Sequence, residues 1–230
     1  MRELLCNDLR YEFVEEDLLE RLHCGEDDEI YLRAKELLDK AIPLLRPAFA
    51  VKEFSVDEIR NDGVVVNGVF FNSKITAKKL VNEKTVFVYI ATCGRRINEY
   101  IDSLSDVLDK YILDQISYLA YLQAMDIMSL KVESAFNIER HIRLCPGSII
   151  DWSIGDVRKI FVLMEGLYQK IDVNVLESGL INPLKSTSGL FYETQEEFES
   201  CAICPRANCE NRRMDFDEDL HAQMVSNENL

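Results

Sequence analysis

Eight residues constrain the fold of this chain more than any others: Val64-Val-Val-Asn-Gly-Val-Phe-Phe71. Asn67-Gly68 lies between a β-branched run and an aromatic one. Asn-Gly tolerates positive φ at both central positions of a two-residue hairpin turn, so an antiparallel pair is expected here. Further strands are expected at Val51–Val56 and at Thr85–Ala91, whose unbroken apolar run reads as a buried strand. Thr92-Cys93-Gly94 then breaks the chain, and helix is expected over Arg95–Leu104 and Asp106–Arg140. The second run brings Leu108, Ile112, Ile116, Leu119, Met125 and Met128 towards one broad face, the pattern of a core helix packed on a sheet. Most strands follow one another with no helix between them. The expected class is therefore α+β, a twisted antiparallel sheet flanked by helices, with one long helix before Arg143–Gly147, and not a doubly wound α/β fold.

Elsewhere the patterns are shorter. Amphipathic helices are expected over residues 8–23 and 29–44, giving a helical N-terminal extension over 1–50. Ser73 and Ser153 are placed to cap helices reaching Val81 and Tyr168. Val173–Leu180 and Ser186–Tyr192 read as two strands joined across Asn182-Pro183. Beyond Tyr192 the composition turns acidic and cysteine-bearing, and order is expected to fade from Met214 onward.

A formal charge of -15 argues against a nucleic-acid partner, whose phosphates need a basic face, and against an anionic membrane surface. The acidic N-terminus does not read as a signal peptide, and no window approaches a membrane span. A cytoplasmic location with reduced cysteines is the expectation. Seven cysteines, an odd number, also argue against a complete disulfide framework.

Several chemistries lack their signatures. The sequence has no Gly-rich phosphate loop, dinucleotide fingerprint, His-Glu-x-x-His or nucleophile elbow. Its three histidines, His23, His141 and His221, are far apart in sequence. Cys201-Ala-Ile-Cys204-Pro-Arg-Ala-Asn-Cys209 is the one dense group of potential ligands. Three thiolates of this kind suit zinc or an iron–sulfur cluster, with Cys145, Cys93 or His221 as a fourth ligand. A redox dithiol, favoured by the nearby Arg206, Arg212 and Arg213, and inert cysteines are the competing readings.

Arg143-Leu-Cys-Pro-Gly-Ser-Ile-Ile-Asp151 combines a guanidinium, a Pro-Gly break and a carboxylate in nine residues. Taken alone it reads as a turn with an exposed arginine. Arg143-Leu-Cys-Pro-Gly147, however, resembles the Arg-x-Ala-Pro-Gly-Tyr segment of the activation (reactivation) domain of cobalamin-dependent methionine synthase. Leu176-Glu-Ser-Gly together with Ser186-Thr-Ser-Gly189 resembles that family's downstream Leu-Thr-Glu-Ser…Ser-x-Ser-Gly block. Ala91-Thr-Cys-Gly94, Leu113-Asp-Gln-Ile116 and the trailing cysteines are similar to short stand-alone relatives. Ser148 replaces the family's tyrosine, and Ile150-Asp151-Trp152-Ser153 replaces its Cys-Pro-Asp-His. Trp152 is open to two readings, a substitute stacking surface or a core residue.

The resemblance implies one activation-like domain over 1–192, followed by a tail over 193–230. It implies an accessory protein, an activation subunit of a methyltransferase, that binds S-adenosylmethionine and reactivates the cobalamin of a partner. That partner is a corrinoid-carrying methionine synthase or related methyltransferase. The implied ligand residues are Arg143, Cys145, Pro146, Gly147 and Ser148 on one wall and Ser186, Ser188 and Gly189 on the other. Glu133 or Glu177 would meet the ligand's positive charge. An electron-donor protein is a further expected partner, with Arg95, Arg96, Arg140, Arg143, Arg158 and Lys159 as a basic patch. The alternative function is a metal or iron–sulfur redox protein that donates electrons to a corrinoid protein.

Overall fold

The structure, a computed structural model, describes residues 2–225. The chain opens with strand β1 (Glu3–Cys6) and helices α1 (Glu15–Leu22) and α2 (Glu29–Ala41). Strands β2 (Ala48–Arg60), β3 (Gly63–Val66) and β4 (Val69–Phe71) follow, then α3 (Lys74–Lys79) and β5 (Thr85–Thr92). Helices α4 (Arg95–Ser103) and α5 (Val107–Phe136) lead to β6 (His141–Leu144). The last part holds α6 (Val157–Leu163), β7 (Asn174–Val175), β8 (Ile181–Asn182), β9 (Ser186–Glu193) and α7 (Glu218–Val225).

The fold is α+β, as expected. Its seven-stranded sheet has the order β4-β3-β2-β5-β9-β6, with β1 also paired to β2, and every pairing is antiparallel. The hairpin forms at the Asn67-Gly68 turn, with φ 47° and 77° at its two residues. A bulge beside Asp57 bends β2, and the Asp57 carboxylate accepts from Gly68 N at 2.6 Å.

Helix α5 has 30 residues, about 45 Å at 1.5 Å per residue. Asp106 caps its start, accepting from Asp109 N at 2.9 Å. Asn137, left-handed with φ 56°, ends it four residues sooner than the periodicity predicts. Its first half packs Ile112, Leu113 and Ile116 with α1, α2 and α4. Its second half lays Met125, Met128, Val132 and Phe136 on one sheet face, against Phe49, Val51, Phe87 and Phe191. The opposite face is covered by α6, Trp152, Ile149 and, from the tail, Phe198 and Ile203.

The structure differs from the sequence expectations in several places. The N-terminal segment contributes a sheet strand, β1, as well as helices. The expected helix from Ile154 to Tyr168 is interrupted: a 3-10 turn at Ile154–Asp156 precedes α6, and Gly166 adopts φ 85° beyond it. The strand expected over Val173–Leu180 shortens to the two-residue β7 of a small ribbon. The tail is built into the molecule, with α7 formed and Leu220 and Met224 resting on the core. The part of the expectation of poor order that falls on residues 226–230 lies outside the described residues.

Candidate functional site

The site begins with the alternation in His141-Ile-Arg-Leu144. Ile142 and Leu144 enter the core on the α6 side. Arg143 pairs in register with Phe191, which belongs to the α5 side, so its side chain points to that face. Strand β6 is the last in the sheet. Thr194 N donates to Arg140 O at 3.1 Å and fixes the hydrogen-bonding phase. Antiparallel pairing alternates, so Ile142 and Leu144 bond to β9 while the main chain of Arg143 points outward along the open edge.

Cys145–Ser148 then forms a tight turn. Pro146 supplies its fixed φ at the second position, and Gly147 has φ 82° at the third. The Cys145 carbonyl accepts from Ser148 N at 3.1 Å, Ile149 N at 3.2 Å and Ser148 Oγ at 3.0 Å. Gly147 N donates to Trp152 O at 2.8 Å. The Pro-Gly break therefore satisfies most of its own polar groups.

Asp151 is committed to structure. Its carboxylate accepts from Ser73 Oγ at 2.7 Å and from Ile75 N at 3.1 Å, holding the first turn of α3. Trp152 is buried with its edge on Phe71, and its Nε1 donates to Asp156 Oδ2 at 3.2 Å. Of the two readings offered by the sequence, the core reading holds.

Among the described residues, the buried Nη1 of Arg143 finds no hydrogen-bond partner. The Tyr89 hydroxyl lies 3.0 Å from Cys145 Sγ, and burial followed by that thiol raises its pKa well above the ordinary value. Burial also pushes Tyr121 up to about 12, and Tyr121 shares a hydrogen bond with Thr187. His141 is pulled down to about 4, first by burial and then by the neighbouring Arg143 guanidinium. Glu133 Oε1 stands 3.4 Å from His141 Nδ1 and favours the protonated ring, but desolvation and Arg143 outweigh it. The surface thus combines an unpaired guanidinium, two phenols and a thiol under a helix. Such a surface suits a carboxylate joined to a flat polar group.

Some expected residues meet here and others do not. Gly189 lies directly beneath Cys145: a Cβ there would fall 3.0 Å from Cys145 Sγ and 2.4 Å from Leu144 O. Ser186 and Ser188 lie on the other sheet face, in line with Leu190 and Tyr192. Ser186 Oγ donates to Thr92 Oγ1 at 2.8 Å, and Ser188 Oγ is buried without a partner among the described residues. Thr187, between them, faces Tyr121 and is the residue the sequence reading passed over. Glu133 stands beside His141, whereas Glu177 is exposed on the loop after β7. The expected basic patch is divided among local partners. Arg95 pairs with Asp172 at 2.9 Å, Arg140 with Glu197 at 3.3 Å, and Lys159 with Asp156 at 2.8 Å.

The expected metal set is not assembled. Among the described residues no group of three or more His, Cys, Asp or Glu side chains is arranged to hold a metal ion. An arginine closes the loop instead. Arg212 donates to the carbonyls of Cys201, Cys204, Arg206 and Met214, at 2.9 Å to Cys201 and 3.1 Å to Cys204. This fastens the main chain without drawing Cys201, Cys204 and Cys209 together. The alternative fourth ligands are also committed: His221 Nδ1 lies 2.8 Å from Ile203 O, and burial pushes Cys93 up to about 12. The zinc or iron–sulfur expectation thus does not fit these residues.

Fold and site together define an antiparallel α+β domain whose long helix crosses one sheet face and whose last strand is left open beside an arginine and a Pro-Gly turn. Among solved structures, the chain is similar to the crystal structure of the MetH reactivation domain bound to AdoHcy. The two share 14% identity at a TM-score of 0.61, over 86% of this chain and 80% of the other. That likeness shows the fold. No protein-family model and no curated protein matches the sequence. Among the described residues no helix is long and apolar enough to cross a membrane.

Proposed function

We propose that this chain binds S-adenosylmethionine and acts as an accessory reactivation protein for a corrinoid-carrying methyltransferase, such as a methionine synthase. The observation that carries this reading is the buried, unpaired Arg143 Nη1 at an open sheet edge. It occurs in a fold similar to that of a domain solved with AdoHcy. A buried guanidinium nitrogen without a partner carries a desolvation cost, and a ligand carboxylate relieves it through a charge-assisted pair.

In this reading Arg143 holds the ligand's carboxylate, and Glu133, on α5 beside His141, meets its ammonium. The outward main chain of Arg143, with the N–H of Cys145, reads the adenine edge. Tyr89, Tyr121 and Gly189 form the floor and exclude water. When bound, the sulfonium supplies a methyl group that leaves without its bonding electron pair, so the acceptor must bring one, as the reduced corrinoid of a partner can. The chain's own task is alignment, and no general base is required. Residues 1–192 are read as the activation-like body and 193–230 as an added segment.

The test is anaerobic co-purification followed by incubation with methyl-labelled S-adenosylmethionine and a one-electron reductant. The expected result is a corrinoid protein in the eluate that gains label only when this chain is present. Absence of a corrinoid partner, or labelling that proceeds equally without the chain, refutes the proposal.

A further inference from the structure

The cysteine-bearing segment 199–214 has a consistent position even though it gathers no metal. The 3-10 turn Ser200–Ile203 anchors it, with Ala202 and Ile203 buried. Arg212 ties its main chain to itself through four carbonyls. Two surfaces of the segment then face the Arg143 region. Cys204, Pro205 and Arg206 stand across a cavity of about 390 Å³ from Gly147, Ser148 and Ile150. Arg213, paired with Glu199 at 2.8 Å, lies within electrostatic reach of Cys145 and Tyr121, the two groups that Arg143 also adjoins. Glu210–Arg213 further forms one side of a larger cavity of about 570 Å³, floored by Tyr118 and Leu122 of α5. Tyr118 and Tyr121 are in ring contact at 5.9 Å, so this cavity adjoins the Arg143 surface.

We propose that segment 199–214 is a wall of the S-adenosyl ligand site, with Arg212 as the lock that fixes its shape opposite Gly147, Ser148 and Ile150 and Arg213 as a positioning residue. This rests on the reading of Arg143–Gly189 as that site. A guanidinium fastened by four main-chain acceptors rigidifies a segment that has few apolar anchors, as a cross-link would. The wall lets the site enclose a ligand that an open strand edge would leave half-solvated.

Two measurements on the full chain test the inference, and one needs no ligand. First, Cys145 alkylation by a maleimide is followed by peptide mass spectrometry in wild type and Arg212→Ala. Release of the wall should speed Cys145 modification by at least about tenfold, local opening being what exposes a shielded thiol. An unchanged rate, in a variant that keeps its far-ultraviolet circular dichroism, overturns the proposal. Second, S-adenosylhomocysteine affinity is compared among wild type, Arg212→Ala, Arg213→Ala and Arg213→Lys. Roughly tenfold weaker binding in both alanine variants, with partial recovery in Arg213→Lys, is expected for a charged wall residue near the ligand carboxylate. Unchanged or tighter binding makes the segment a bystander or a plug and overturns the proposal. If wild type does not bind at all, the reading of the site fails, and Cys145 alkylation alone then decides whether the segment shields this surface.

Discussion

At the scale of single residues, Arg143, His141 and Gly189 carry distinct and separable consequences. His141 is held at about 4 in the folded chain against an ordinary value of 6.5. Its folded pKa is depressed, so the unfolded chain takes up this proton first as pH falls. Above 6.5 His141 adds nothing to the pH dependence, and between 6.5 and 4 it progressively destabilises the fold. Denaturant midpoints should therefore fall across that window, and His141→Phe should flatten this part of the profile. An unaltered slope in the variant would contradict the assignment. Gly189→Ala places a methyl 2.4 Å from Leu144 O, in a contact made by backbone. It should cost about 2 kcal/mol through overpacking between β9 and β6, read by chemical unfolding. The need for Gly189 was legible only as part of a resemblance, because the clash comes from a strand 45 residues earlier in the chain. The sidedness of Ser186 and Ser188 could have been read directly. Leu190 and Tyr192 share their parity, and Phe191 and Gly189 share that of Arg143 and Cys145.

Among the elements, local periodicity was legible where it is long or punctuated by special residues. The β3–β4 hairpin, β5, and α5 with its Asp106 cap all follow from patterns inside one stretch of chain. Strands β1 and β6 do not. Each has four residues, too few for a period-2 signal to stand out beside adjoining helix-like spacing. Their pairing is decided by β2 and β9, which only the folded chain brings alongside. Asp151 shows the same limit, because it serves α3 from 76 residues away in sequence. Asp151→Ala should remove two hydrogen bonds from the first turn of α3 and lower stability by about 1 kcal/mol, the usual cost of a lost cap. S-adenosylhomocysteine affinity should stay unchanged, since Asp151 supports a neighbouring helix and faces away from Arg143. A loss of affinity without a loss of stability would reassign Asp151 to the ligand.

For the molecule as a whole, α5 joins two packing units: a helical cluster around Leu18, Tyr31 and Ile116, and the sheet beneath Met125–Phe136. The tail completes the opposite sheet layer through Phe198 and Ile203. Its acidic composition concealed that role, because two buried side chains suffice to anchor a segment of low average hydrophobicity. The cysteine spacing likewise indicated a metal where an arginine closes the loop. Dialysis against a strong chelator should leave the melting curve unchanged, and a fall of several degrees would restore the metal reading.

The account depends on Arg143 binding the carboxylate of an S-adenosyl ligand at the open edge of β6. Titration calorimetry with S-adenosylhomocysteine on wild type and Arg143→Ala addresses this most directly. Saturable binding by wild type, weakened roughly a hundredfold in Arg143→Ala by loss of a charge-assisted pair, is the predicted result. Equal affinity in the two proteins, or no binding by wild type at millimolar ligand, would contradict it.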